Sequence, residues 1–241
     1  MLLLSTVFQL LQLNHRLMKL GDIEGLLNSL HSMYAEIHGL LMISARSTYD
    51  GGRFPHRYEK SHRVVADALG GAAADEAEVE EALHLQLEAM AFYLQVLFDF
   101  FAKLEPGAAP PKKGVAAPLG SDAHVLLIGS AAEFRLVSFC LHVLRDYLAV
   151  HDAAVGSAEA PPSRLAQRTL RELTPAVVSL LQGILAFHEP QFVRHLPGFY
   201  PLFVELMHCD AKDVRQTLRD IFSNRIGNVL HEKQQGAVVA L

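Results

Sequence analysis

The sequence predicts an all-α protein built as an α-solenoid of antiparallel helix pairs, with two flexible loops. Three observations carry this. Apolar residues recur at helical spacing along most of the chain, and strand-like alternation is hard to find. Hydrophobic residues make up 51% of the 241 positions, which supports a packed core and argues against global disorder. Finally, residues 195–230 read as two amphipathic helices sharing one apolar seam. Such a pair cannot bury its seam alone and needs neighbours of the same kind.

Each element has its own signal. Residues 2–20 read as a first helix, broken at Gly21-Asp22, where Asp22 can cap the next. Ile23, Leu26, Leu27, Leu30, Met33, Tyr34, Ile37, Leu40 and Leu41 mark a long second helix. Gly51, Gly52 and Pro55 place a loop over residues 48–55, followed by a weakly patterned short helix over 56–69. Gly70 to Ala74 interrupts again, and Asp75 can cap a helix that opens with Glu76, Glu78, Glu80 and Glu81. Carboxylates there suit the positive end of the helix dipole. Leu83, Leu87, Met90, Leu94, Leu97, Phe98 and Phe101 carry it to about residue 104.

Residues 105–121 are rich in Pro, Ala and Gly and form the first flexible loop. Asp122 restarts helix through Leu126, Phe134, Val137, Leu141, Leu144 and Leu148, and residues 152–162 form the second loop. From Ser163 the period returns with Leu165, Leu170, Leu173, Val177, Leu180, Leu181 and Ile184. Thr174-Pro175 either kinks that helix or opens a new one, because proline suits the first turn and not the interior. Pro190 opens the next helix, which Pro197 and Pro201 bend or split. Its apolar positions are Phe192, Leu196, Phe199, Leu202, Phe203, Leu206 and Met207. Asp210 can cap the last helix, with Asp213 in a capping-box-like place and Val214, Leu218, Ile221, Phe222, Ile226 and Val229 as the seam. The organisation is one continuous stack: residues 1–104, the loop 105–121, and residues 122–241. The helix pairs have the size of HEAT or armadillo units; a compact helical bundle is the structural alternative.

Composition and motif spacing exclude most chemistry. A net charge of -5 leaves no basic footprint for nucleic acid. Cys140 and Cys209 sit in apolar pattern and read as small core residues, consistent with a reducing compartment. The N-terminus lacks a positively charged start and a small-residue cleavage site, so it does not read as a signal peptide. No run approaches the ~20 apolar residues of a membrane span. The expectation is a soluble, cytoplasmic or peripheral protein. Among thirteen histidines, His31 and His38 share a helical face, and His208-Cys209-Asp210 places three possible ligands in a row. Adjacent helical residues diverge, and no H-E-x-x-H or C-x-x-C spacing occurs, so no metal or cofactor is expected. Gly129-Ser130 lacks the second glycine of a nucleophile elbow, and no phosphate-cradling glycine loop occurs; no catalytic residue is assigned. One surface pattern remains. Arg164, Arg168 and Arg171 follow i, i+4, i+7 spacing, and Arg215 and Arg219 repeat i, i+4, a pattern that suits an acidic partner or anionic headgroups.

Particular runs carry more than periodicity. Residues 161–230, above all HLPGFYPLFVELMHCD followed by DVRQTLRDIFSNRIGNVL, resemble the extreme C-terminal region of the large brefeldin A-inhibited guanine-nucleotide exchange factors for Arf GTPases. The segment LEAMAFYLQVLFDFF is similar to a further helix of that family. The family's exchange domain, with its Phe-Arg-Leu-Pro-Gly-Glu loop, is not in this chain. His195-Leu-Pro-Gly is followed by Phe199-Tyr200 and not by Glu. The resemblance therefore implies a non-catalytic HEAT-like regulatory or scaffold region acting in vesicle transport at Golgi or trans-Golgi membranes. The implied partners are Arf-family GTPases, other trafficking proteins, anionic membrane and other parts of a larger exchange factor. A generic helical-repeat scaffold unrelated to Arf is the alternative.

Overall fold

A computed structural model of the protein describes residues 20–45, 76–102, 131–156 and 162–229. Among these the secondary structure is helical and no strand occurs, as the apolar period requires. In chain order the helices are α1 (Leu20–Ser44), α2 (Glu76–Ala102), α3 (Ala131–Val155), α4 (Arg164–Leu185), α5 (Glu189–Leu206) and α6 (Lys212–Ile221), the last running on through a π-helical turn, Phe222–Ile226. The expected helix over 2–20, apart from Leu20, the short helix over 56–69, the loops over 48–55 and 105–121, the cap at Asp75 and the helix restart at Asp122 with Leu126 lie outside the described residues.

The helices lie in two rows. One row packs α1 on α3 and α3 on α5; the other packs α2 on α4 and α4 on α6. The rows are joined within the pairs α1–α2, α3–α4 and α5–α6, with one diagonal contact between α1 and α4. Side-chain contacts set the directions. Asn28 meets Arg135 and His38 meets Asp146, so α1 and α3 are parallel. His84 meets Glu172 and Phe98 meets Gly183, so α2 and α4 are parallel. Tyr147 reaches Thr174 while Ala154 accepts from Gln167, so α3 and α4 are antiparallel. Tyr200 meets Phe222 and Phe192 meets Arg225, which makes α5 and α6 antiparallel too. The core between the rows holds Tyr34, Phe139, Tyr147, Phe192, Phe199 and Phe203, all essentially without solvent contact.

Several local expectations are corrected. Gly21 and Asp22 lie inside α1, so they do not break or cap a helix. Asp152 to Val155 form the last turn of α3, and the chain leaves helix at Gly156, whose φ of 77° is the left-handed stop that glycine tolerates. The free carbonyls at that end are taken up by the next helix. Ser163 N–H donates to Ala153 O at 2.9 Å and Gln167 Nε2 to Ala154 O at 3.1 Å. Ser163 also caps α4, accepting from Ala166 N–H at 3.2 Å. One residue thus closes one helix and opens its antiparallel neighbour.

The prolines neither break nor split their helices. α4 runs unbroken through Pro175, and α5 through Pro197 and Pro201. All three side chains are exposed, so the backbone carbonyls they leave unbonded face water. At Pro175 the neighbouring Thr174 hydroxyl donates back to Leu170 O at 2.6 Å and also meets Tyr147 Oη at 3.1 Å. Asp210 does not cap α6. Its N-cap is Ala211 without a side-chain bond, and the turn is held by Arg215, whose Nη1 donates to Cys209 O at 2.6 Å. Phe134, expected in the apolar stripe of α3, is exposed and stands edge-on to His195. No helix among the described residues is long and apolar enough to cross a membrane.

Candidate interaction surface

Two buried polar seams join the helices of the first row. Between α1 and α3, Asp146 Oδ2 accepts from Tyr34 Oη at 2.5 Å and lies 2.9 Å from His38 Nδ1. Between α3 and α5, Glu133 lies 2.6 Å from His195 Nε2 and accepts from Gln191 Nε2 at 3.3 Å and Arg194 Nη1 at 3.4 Å. Asp146 and Glu133 are 3% and 1% exposed. A carboxylate so placed is tolerated only when donors surround it, and here the neighbouring helix supplies them.

These seams account for His38 and His195. His31 and His38 do share a face, as their spacing requires, but that face is packed. His38 bonds Asp146, and His31 stands edge-on to Phe139 with centroids 5.8 Å apart. His208, Cys209 and Asp210 diverge: the thiol is buried and the flanking side chains are exposed. Among the described residues no group of three His, Cys, Asp or Glu is disposed to hold a metal ion. Burial pushes the Cys140 thiol well above its usual range, and Cys209 is raised for the same reason. An open groove of about 600 Å³ between α1 and α2 is lined by Asn28, Ser32, Met33, Glu36, Gln86 and Tyr93. Its one carboxylate, Glu36, accepts from Gln86 at 2.7 Å.

The arginines divide. Arg164, Arg168 and Arg171 are exposed along one outer face of α4. The adjacent Glu172 turns to α2, where it lies 2.9 Å from His84 Nδ1. That hydrogen bond is the main reason His84 is more basic than usual. Arg219 is exposed on α6, whereas Arg215 is half-buried and committed to the Cys209 carbonyl. The two sets do not form one patch. Arg225 near the end of α6 meets Phe187 just beyond α4, which puts Arg219 roughly 15 Å further along α4 than Arg171.

One structural anchor, Arg225, has no spacing signal in the sequence. Arg225 Nη2 donates to Phe187 O, and its guanidinium lies 4.8 Å over the Phe192 ring. Burial lowers its basicity, with Glu189 opposing. It clamps the α4–α5 corner from the far side of the last pair. The wide turn makes this possible. In a plain α-helix Ile226 would sit about 140° around from Ile221; the π-turn brings both to the buried side. The Arg225-Ile226-Gly227 run is visible in sequence, but its partner is 38 residues away and no spacing rule reaches it.

A family model described as the BIG2 C-terminal domain matches residues 65–223. No curated protein and no solved structure matches the chain. The matched span takes in α2 through α6 and the start of the wide turn, and with them the Glu133 seam and the α2–α4 crossing. The chain belongs to the BIG2 C-terminal domain family.

Proposed function

We propose that the chain is the non-catalytic C-terminal part of a large Arf guanine-nucleotide exchange factor, acting as a regulatory scaffold in Golgi vesicle transport. The observation that carries the reading is the family match over residues 65–223. The helix rows support it, because parallel helices within each row and antiparallel pairs between rows are what stacked HEAT-like units produce. On this reading the molecule is a short α-solenoid. Its partners are Arf-family GTPases, other trafficking proteins or the rest of the factor, and the exposed Arg164, Arg168 and Arg171 face anionic membrane or an acidic partner.

The test is retention of purified Arf-family GTPases, loaded with GDP or a GTP analogue, on the immobilised chain, alongside flotation with vesicles containing anionic lipid. Nucleotide-dependent retention, or flotation lost when the three arginines become alanine with the melting temperature kept, is the expected result. Neither GTPase retention nor vesicle binding would sink the Arf reading and leave a generic helical-repeat scaffold.

A further inference from the structure

The N-terminal half of α4 carries charge where a helix does not favour it. Arg164 is its first residue, Arg168 and Arg171 follow, and no acidic residue stands in the first turn. The only carboxylate in the helix, Glu172, turns aside to His84. Cations at the positive end of the helix dipole weaken a helix, and so do like charges three or four residues apart. Nothing nearby offsets this, since the guanidinium groups of Arg164 and Arg171 form no ion pair or hydrogen bond among the described residues. At 100° per residue all three arginines lie within about 55° of the direction opposite the buried face of α4, and all three are exposed. A local arrangement that weakens its own helix, without compensation inside the fold, marks a surface kept for binding.

The basic stripe is one helix wide. α2 runs parallel beside α4 with His84 at the height of Glu172, so Glu81 stands at about the height of Arg168 and Glu88 just past Arg171. Both carboxylates are exposed, within about 50° of the direction opposite the buried face of α2. On the other side, the Arg225–Phe187 contact sets the exposed Asp213 of α6 at about the height of Pro175. A plane of anionic headgroups resting on the three arginines would also press on these carboxylates, because neighbouring helix axes are only about 8–10 Å apart. A single strand laid along α4 does not meet them. Its spacing also suits: the arginines rise by about 6 and 4.5 Å along the helix, and alternate side chains of a strand recur every ~6.6 Å on one face. Each guanidinium fork can then take a carboxylate. We propose that Arg164, Arg168 and Arg171 dock an extended acidic peptide of a partner protein, with carboxylates at alternate residues. The proposal rests on the partner reading above and deepens it, and it stands or falls on peptide binding, not on GTPase retention.

Fluorescence anisotropy of a labelled peptide of alternating Glu and Ser, titrated with the full chain at low salt, reads the proposal, because salt screens such exposed contacts. The expected result is saturable binding that weakens about tenfold or more when all three arginines become alanine. Arg164→Glu separates binding from folding. It should weaken the peptide complex yet raise the melting temperature, since a carboxylate suits the first turn. Vesicles containing anionic lipid should leave the wild-type chain unbound. A wild-type chain that ignores the peptide, a triple variant that binds it as well as wild type, or an Arg164→Glu chain with unchanged affinity overturns the proposal. Flotation of the wild-type chain on the vesicles, lost in the triple variant, without peptide binding would assign the arginines to a membrane instead.

Discussion

Gly183→Ala tests a close approach between α4 and α2. Gly183 is buried in α4 facing Phe98 of α2, and a Cβ there would overlap the ring at Cγ, Cδ2 and Cε2, well inside the ~3.5 Å of ordinary carbon contact. The ring has little room to retreat: it is 6% exposed and tilts against Phe187 with centroids 5.8 Å apart. Two terms oppose each other. Alanine gains about 1 kcal/mol of helix propensity over glycine. Overpacking a filled site costs about 1–3 kcal/mol. The net expectation is a loss of up to about 2 kcal/mol, or ~2–4 °C in Tm for each kcal/mol lost in a chain of this size. Urea unfolding followed by far-UV circular dichroism measures it. Phe98→Leu shortens the obstructing side chain, so in that background the same Gly183→Ala change should turn neutral or stabilising. A coupling of about 1–3 kcal/mol in the double-mutant cycle is the signature. If alanine raises stability by the full propensity gain with Phe98 in place, the helices do not approach as described.

Other perturbations separate the remaining forces. Phe203→Ala and Ile221→Ala, both at fully buried positions, should each cost about 2–5 kcal/mol, and unchanged melting temperatures would mean that the buried faces of α5 and α6 are misassigned. Glu133→Ala should cost about 3–5 kcal/mol, because it strips the acceptor from His195, Gln191 and Arg194 together; a variant as stable as wild type would show that the seam contributes nothing. His84 is raised by its bond to Glu172, so its contribution is fully present below about pH 6.5 and fades as pH rises through the raised folded value. Glu172→Gln should remove that dependence, and a stability difference between the two proteins that does not shrink on the alkaline side would contradict the pairing. The group is exposed, so the effect is small.

The helices themselves were legible in the sequence, because apolar residues at a 3.6-residue period leave little choice of element. Boundaries were less so. Gly21 and Pro175 are poor helix formers by local rule, yet both sit inside helices; along α4, tertiary packing outweighs the roughly 3 kcal/mol propensity cost of Pro175. At Pro175 the lost bond also faces water. Asp210 has the chemistry of a cap, but its side chain forms no cap bond and Arg215 holds the turn by another route. The shared face of His31 and His38 follows from spacing alone. Their environment does not, because Asp146 lies 108 residues beyond His38 and Glu133 lies 62 before His195. Pairings across such distances are set by how the helices stack, which no local pattern encodes. The arginine face of α4 was visible as a stripe, while the separation of Arg219 from it needed the offset between α4 and α6.

The buried carboxylates raise a question that the apolar seams cannot answer, which is why each helix sits at one height on its neighbour. Apolar residues recur every three or four positions, so a helix shifted by one turn, about 5.4 Å, still meets an apolar face. Asp146 does not tolerate that shift, since a buried carboxylate would lose Tyr34 and His38 together, and breaking a buried charge pair costs about 3–5 kcal/mol. On this argument the polar seam specifies register more than it adds stability, and the two roles can be told apart. Converting Tyr34→Phe, His38→Leu and Asp146→Leu together removes the carboxylate along with the two side chains bonded to it. If the set specifies register, the variant should remain helical and about as stable, but unfold over a broader denaturant range with a smaller m-value, because several stackings become nearly equal in energy. A triple variant that unfolds as sharply as wild type would assign register to the apolar contacts and reduce the buried aspartate to a satisfied core residue.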